Sequence, residues 1–223
     1  MEEIYDVIKS RHSVRSYTDK KIEGNVKEEL EELIKKCNND VKLNIKLVLN
    51  ESKAFDTFMA HYGKFDNVKN YIVMSGKKSN DLEEKCGYYG EMIVIKAQEL
   101  GLNTCWVGLT YNKKFVRKEI NGEKIVVVIA IGYGKTNGVE HKIKSYEDVV
   151  KNKGNTPEWF KKGIEYALLA PTALNQHKFI FDLVDENEVE ILPGNGFYTR
   201  VDMGIAKYHF ELGARLENFR WKK

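Results

Sequence analysis

GEMIVIKAQELGLNTCWVG, residues 90–108, is the stretch on which the architecture turns. Extended back to the preceding tyrosines, it is apolar on most sides: Tyr88, Tyr89, Met92, Ile93, Val94, Ile95, Ala97 and Leu100. A helix of that kind needs partners around most of its circumference, so it belongs in the core of a domain. Gly101 is a natural helix stop, and Asn103–Leu109 after it reads as a loop anchored by Trp106. Working outward, KIVVVIAIG (124–132) holds seven consecutive apolar residues and reads as a fully buried central strand. YIVMS (71–75) reads as an inner strand, and NIKLVLN (44–50), with Ile45, Leu47 and Leu49 alternating, as a half-exposed one. Helical spacing marks residues 2–10, 26–37 and a polar segment near 112–119.

Downstream, the chain turns polar from Lys135 to Thr156. Thr156-Pro157 restarts a helix, as an N-cap followed by proline in the first turn, and that helix runs to about Leu169. KFIFDLV and EVEIL flank Asp185-Glu186-Asn187 as a hairpin, and Val201, Ile205, Tyr208 and Leu212 mark a last helix. The expectation is one α+β domain with a central mixed, largely antiparallel sheet between helices. Residues 26–49 and 157–184 both run helix, loop, strand, and Glu99-Leu100-Gly101 recurs as Glu211-Leu212-Gly213. That echo points to two degenerate half-repeats, about 1–152 and 153–223.

With 42% hydrophobic residues, the 223-residue chain can bury a sizeable core. Its 36 basic and 33 acidic residues leave +3, too mild an excess for a nucleic-acid-binding face. Cys37, Cys86 and Cys105 form no C-x-x-C pair and read as free thiols in a reducing compartment. No stretch approaches the roughly 18 apolar residues of a membrane span. The N-terminal residues lack an apolar signal core, so the cytoplasm is the expected location. Gly132-Tyr133-Gly134-Lys135-Thr136 follows a buried strand, but a P-loop needs glycine where Ile129 stands. A dinucleotide fingerprint would need its third glycine at Asn137. The histidines form no H-E-x-x-H cluster, and His209 reads as a core residue.

Three segments carry candidate chemistry. Arg11, Ser13 and Arg15, if extended, project to one side and converge on one anion. Arginine suits phosphate through its planar fork of charge-assisted donors, although a lone R-x-S-x-R is more often a solvated basic turn. Ala170-Pro171-Thr172-Ala173-Leu174-Asn175-Gln176 combines small residues, which admit a flat ring, with polar donors and acceptors; it equally suits an ordinary loop between helix and strand. Trp106-Val107-Gly108-Leu109 offers backbone amides to a ligand, with Gly108 removing a side-chain obstacle.

Taken in order, RHSVRSY, GEMIVIKAQELGLNTCWVG, IAIGYGK and APTALNQHKF resemble the nitroreductase-like FMN-dependent flavoproteins across most of residues 4–214. In most of that family the ring loop follows soon after R-x-S-x-R. Here CNNDVKLN holds that place and the loop-like segment lies at 170–179, which resembles a branch with two fused copies of the fold. The resemblance implies FMN, with NADH or NADPH as electron donor and a ping-pong transfer through flavin N5 to a small acceptor such as a nitroaromatic or quinone. It implies Arg11 and Ser13 at the phosphate and Arg15 nearer the pyrimidine edge. It also implies Trp106, Val107, Gly108 and Leu109 beside N5, and Pro171, Thr172, Ala173, Asn175 and Gln176 at the ring. Lys142 or Lys144 matches a late basic residue at the phosphate. His177 and Lys178 depart from the usual proline and aromatic. Because the reciprocal site would need matching motifs near residue 153 and after Gly213, one FMN and a monomer are implied. A non-catalytic flavin sensor or store is the alternative.

Overall fold

The computed structural model describes residues 2–120, 122–152, 154 and 156–222. In chain order the elements begin with α1 (Glu2–Ser10), α2 (Gly24–Val41), β1 (Lys46–Val48), α3 (Phe58–Tyr62) and β2 (Tyr71–Gly76). The core helix α4 (Leu82–Glu99) follows, then β3 (Asn103–Val107), α5 (Lys113–Val116), β4 (Lys124–Gly132) and α6 (Tyr146–Val149). The remainder is α7 (Glu158–Leu168), the hairpin β5 (Phe179–Asp185) and β6 (Glu188–Pro193), α8 (Thr199–Ala214) and β7 (Arg220–Trp221).

The apolar circumference of α4 finds the partners it requires. Ile93 and Val94 are fully buried, Ile95 packs with Ile8 of α1 and Tyr166 of α7, and α2 turns Leu30, Ile34 and Cys37 inward. Its main partner is α8. A Cβ on Gly87 would collide with the carbonyl of Val201, and one on Gly204 with the carbonyl of Glu84. Two glycines thus let the helix backbones meet at closer range than side chains allow.

The sheet departs from expectation, since the strands form two sheets and not one. The first has the order β1-β2-β4-β3 and is antiparallel throughout, with β4 in the middle. The second is β5-β6-β7, an antiparallel hairpin with β7 added in parallel. Asn103–Val107 is an edge strand paired with Val128–Gly132, not a loop, because its backbone groups are buried and must be satisfied by the ladder. The short elements α3, α6 and β7 carry no periodic signal. A reciprocal capping box between Ser145 and Asp148 starts α6 inside the polar stretch. Pro157 occupies the N-cap of α7, one position later than the expected Thr156, and Thr156 instead bonds the hydroxyl of Tyr146 at 2.8 Å.

The helix–loop–strand order recurs in α2–β1 and α7–β5, but the repeated triplet does different work in its two places. Gly101 ends α4 with φ +75°, whereas Gly213 lies inside α8 against the carbonyl of Lys162 and the ring of Tyr166. The expected junction at 152–153 includes Lys153, which with Asn155 lies outside the described residues. Among the described residues no helix is long and apolar enough to cross a membrane.

Candidate functional site

The residues after α1 run alongside β3. The Val14 amide donates to the Thr104 carbonyl at 3.0 Å, Ser13 bridges to Thr104 in parallel, and Val14 and Tyr17 are buried behind. Alternation then turns Arg11, Ser13 and Arg15 to the opposite side, where all three line a cavity of about 650 Å³. Trp106, Val107, Gly108 and Leu109 from the end of β3 form another wall, and Pro171, Thr172, Ala173 and Asn175 a third. Val201, Asp202 and Ile205 of α8 close it. The volume is that of a cofactor or drug-sized ligand site.

Of the remaining expected residues, Gln176 stands behind the lining. Its Nε2 donates to Asp202 Oδ2 at 2.7 Å and to the Phe197 carbonyl at 2.8 Å. Neither Lys142 nor Lys144 lines the cavity. The Lys142 carbonyl accepts from Asn175 Nδ2 at 2.7 Å, and Lys144 Nζ donates to the His177 carbonyl at 3.1 Å. Both lysines therefore brace the 171–177 loop, and the segment lines the cavity through Val139, Glu140 and His141 instead. Gly108 is required for a reason other than ligand approach alone. A Cβ there would lie 2.5 Å from the ring of Tyr198, whose hydroxyl donates to the Gly108 carbonyl at 2.9 Å.

The arginines differ in environment. Arg15 is exposed, while Arg11 is only 3% exposed and its Nε has no hydrogen-bond partner. Burial lowers the Arg11 pKa from the usual arginine value, and Glu91, 4.0 Å away, acts against that. Glu91 is fully buried; it accepts from Trp106 Nε1 at 3.0 Å and faces His209 Nε2 at 2.9 Å. His209 Nδ1 faces the Tyr166 carbonyl at 3.1 Å. Glu91 and the Tyr166 carbonyl hold the imidazole from both sides. His209 is thus a core residue, as expected, but one that couples the core to the cavity through Glu91. The sequence holds a signal for this network: Glu91 falls among the apolar positions of a core helix, where a carboxylate has to find donors.

Asp202 plays the corresponding part on the opposite wall. Its Oδ1 accepts from the Ala173 amide at 2.8 Å and its Oδ2 from Gln176, fixing a loop in which Leu174, Asn175 and His177 all have positive φ. Such left-handed residues persist only where surrounding bonds hold them. Burial pushes the Asp202 carboxyl up to about 6, against the two hydrogen bonds, which favour the charged form. A folded-state value above the unfolded one means that folding favours the protonated acid. Stability from this group is therefore complete below about pH 4 and is lost as pH rises through about 6. Thermal melts from pH 4 to 7 should show wild type losing stability relative to Asp202→Asn; parallel curves would refute the assignment.

One end of the cavity therefore gathers guanidinium and hydroxyl donors, including a buried nitrogen with no partner, which suits a phosphate monoester. Trp106, Val107, Gly108, Pro171 and Ala173 give apolar or small surfaces that suit a flat ring. The donor set fits FMN. Among the described residues no three His, Cys, Asp or Glu side chains converge as metal ligands.

Comparison with known proteins agrees on the architecture. The family model described as "Putative TM nitroreductase" matches residues 3–214. A structure from Thermotoga maritima MSB8, described as a "putative nitroreductase", is 26% identical with a TM-score of 0.69, covering 95% of this chain and 83% of its own. A "Putative NADH dehydrogenase/NAD(P)H nitroreductase" from Bacteroides thetaiotaomicron is 22% identical with a TM-score of 0.53, covering 67% of this chain and 97% of its own. A "putative nitroreductase in complex with FMN" from Desulfovibrio desulfuricans is 17% identical with a TM-score of 0.53, covering 68% and 98%. No curated protein matches the chain.

Proposed function

Because the chain belongs to the nitroreductase family whose model spans residues 3–214, we propose that it is an FMN-dependent NAD(P)H oxidoreductase acting on small acceptors. The observation that carries this reading is the buried, unpartnered Arg11 Nε beside Ser13 at one end of a cavity wide enough for a flavin. The FMN complex of the Desulfovibrio desulfuricans relative supports the choice of cofactor.

When bound, FMN supplies the hydride chemistry, in a ping-pong cycle from NADH or NADPH to an acceptor such as a nitroaromatic or quinone. The chain's own residues bind and orient. Arg11 and Ser13 would hold the phosphate, and Arg15, exposed and lining the cavity, would set positive charge toward the pyrimidine edge. The Val107 and Gly108 backbone would face the reacting ring, and the 171–176 loop, clamped by Asp202, would bound it. Tyr198, bonded to the Gly108 carbonyl, fixes that backbone at the cavity wall. The exposed Leu109, Leu174 and Phe197 give the mouth an apolar rim suited to an aromatic acceptor.

The cavity takes residues 11–15 and 106–110 from one expected half-repeat and 171–175 and 197–205 from the other. That supports a fused chain acting as a monomer with one FMN. Purified protein should bind FMN at micromolar concentration, release FMN and not FAD on denaturation, and contain one flavin per chain that light scattering finds monomeric. It should oxidise NADH or NADPH in the presence of a nitroaromatic or quinone. Failure to bind FMN overturns the proposal; binding without turnover would make the protein a flavin carrier.

A further inference from the structure

Among the described residues, the buried side-chain nitrogens and oxygens without a hydrogen-bond partner belong, apart from one on Glu123, to Arg11, His12, His141 and His177. Native interiors rarely leave such atoms unpaired. The four side chains are neighbours. His141 and His177 stack at 5.3 Å with their planes 17° apart, and His141 senses the charges of Arg11 and His12 as well as His177. His141 lines the cavity beside Arg11 and Ser13, while His177 is 1% exposed behind it, near the Asn175, Leu168 and Ala170 carbonyls but with neither ring nitrogen in a well-formed hydrogen bond.

We propose that His141, backed by His177, completes the phosphate end of the cavity, so that a phosphomonoester is captured together with a proton. This rests on the reading of the cavity as an FMN site. It goes further in giving an imidazole the place that either neighbouring lysine was expected to fill, and in making cofactor capture pH-dependent.

The charges around the ring account for this. Burial, then His177, Arg11 and His12, hold the His141 pKa down to about 4, opposed by the Leu168 carbonyl. Burial likewise lowers His177, with Lys144 adding to the effect and the carbonyls of Asn175, Leu168 and Ala170 acting against it. His12 is lowered by burial and Arg11, against Glu140. Near neutral pH the ligand-free cluster therefore holds neutral imidazoles beside one guanidinium. A phosphate dianion placed there reverses the balance, because an adjacent negative charge favours imidazolium. The pKa of His141 is then higher in the complex than in the free protein. Between those two values binding takes up a proton, and affinity falls as pH rises.

The test is isothermal titration of the protein with FMN at pH 6, 7 and 8, in buffers of different ionisation enthalpy, with riboflavin as the phosphate-free ligand. The second proton of the phosphate ester leaves near pH 6 and favours binding at higher pH, so wild type is read against His141→Gln, which can donate but cannot take up a proton. From pH 6 to 8 the wild-type FMN affinity should fall about 10-fold relative to that of the variant. Wild type should show net proton uptake with FMN that riboflavin does not produce. Equal pH slopes in wild type and variant, or no proton uptake by wild type, overturn the inference and leave the FMN reading intact. Absence of FMN binding at every pH overturns both.

Discussion

Glu91→Ala is expected to lower the stability of the protein by about 3–5 kcal/mol, the cost of removing one partner of a buried ion pair. Glu91 is fully buried and serves three groups: Arg11 at 4.0 Å, Trp106 Nε1 at 3.0 Å and His209 Nε2 at 2.9 Å. Alanine would leave the buried Arg11 guanidinium without its carboxylate and the Trp106 indole N–H without its acceptor. For a chain of this size the melting temperature should fall by roughly 6–20 °C. Glu91→Gln separates hydrogen bonding from charge. Its amide oxygen can accept from Trp106 and its amide NH2 can donate to His209 Nε2, with the imidazole keeping its proton on the side of the Tyr166 carbonyl. Glutamine should therefore retain much of the stability that alanine loses. Calorimetric melts of both variants decide the matter, and an alanine variant melting within about 2 °C of wild type would remove Glu91 from the stabilising network.

Arg11→Ala should weaken FMN binding roughly 10- to 150-fold, the equivalent of about 1.5–3 kcal/mol for a charge-assisted hydrogen bond. Glu91 keeps two other donors in this variant, so the loss of affinity is expected to exceed any loss of fold. Once saturated with FMN, the variant should be reduced at close to the wild-type rate, since the phosphate end is remote from the reacting ring. Arg15→Ala should show the opposite pattern. Arg15 is exposed at the cavity rim, so its removal should cost little affinity, while loss of positive charge near the pyrimidine edge should slow reduction by NADH or NADPH and lower the flavin potential. Stopped-flow reduction of both saturated variants is the measurement. An Arg15→Ala protein with unchanged rate and potential would make Arg15 a second phosphate ligand.

The elements with strong periodicity are legible in the sequence. The all-round apolar run became α4, the seven-residue apolar run became the centre of β4, and the Asp185-Glu186-Asn187 turn became a hairpin. Three separated segments, 11–15, 106–109 and 171–175, were each ambiguous alone, and the structure brings them to one cavity. Local pattern failed where elements were too short to show a period, as in α3, α6 and β7. It failed also where a polar-looking segment was needed as a ladder partner, as in β3.

By itself, then, the sequence determined the strongly periodic helices and strands, which of their faces must be buried, and which motif-bearing segments resemble a nitroreductase. Tertiary structure alone decided that the strands divide into two sheets and that Glu91 meets His209 across 118 positions of chain. It also decided that Asp202 clamps the ring loop, and that His141, rather than Lys142 or Lys144, faces the cavity. The physical reason is that hydrophobic periodicity records how much of a residue must leave water. The identity of a buried polar group's partner depends on which distant backbone the packed helices and strands bring within 3 Å.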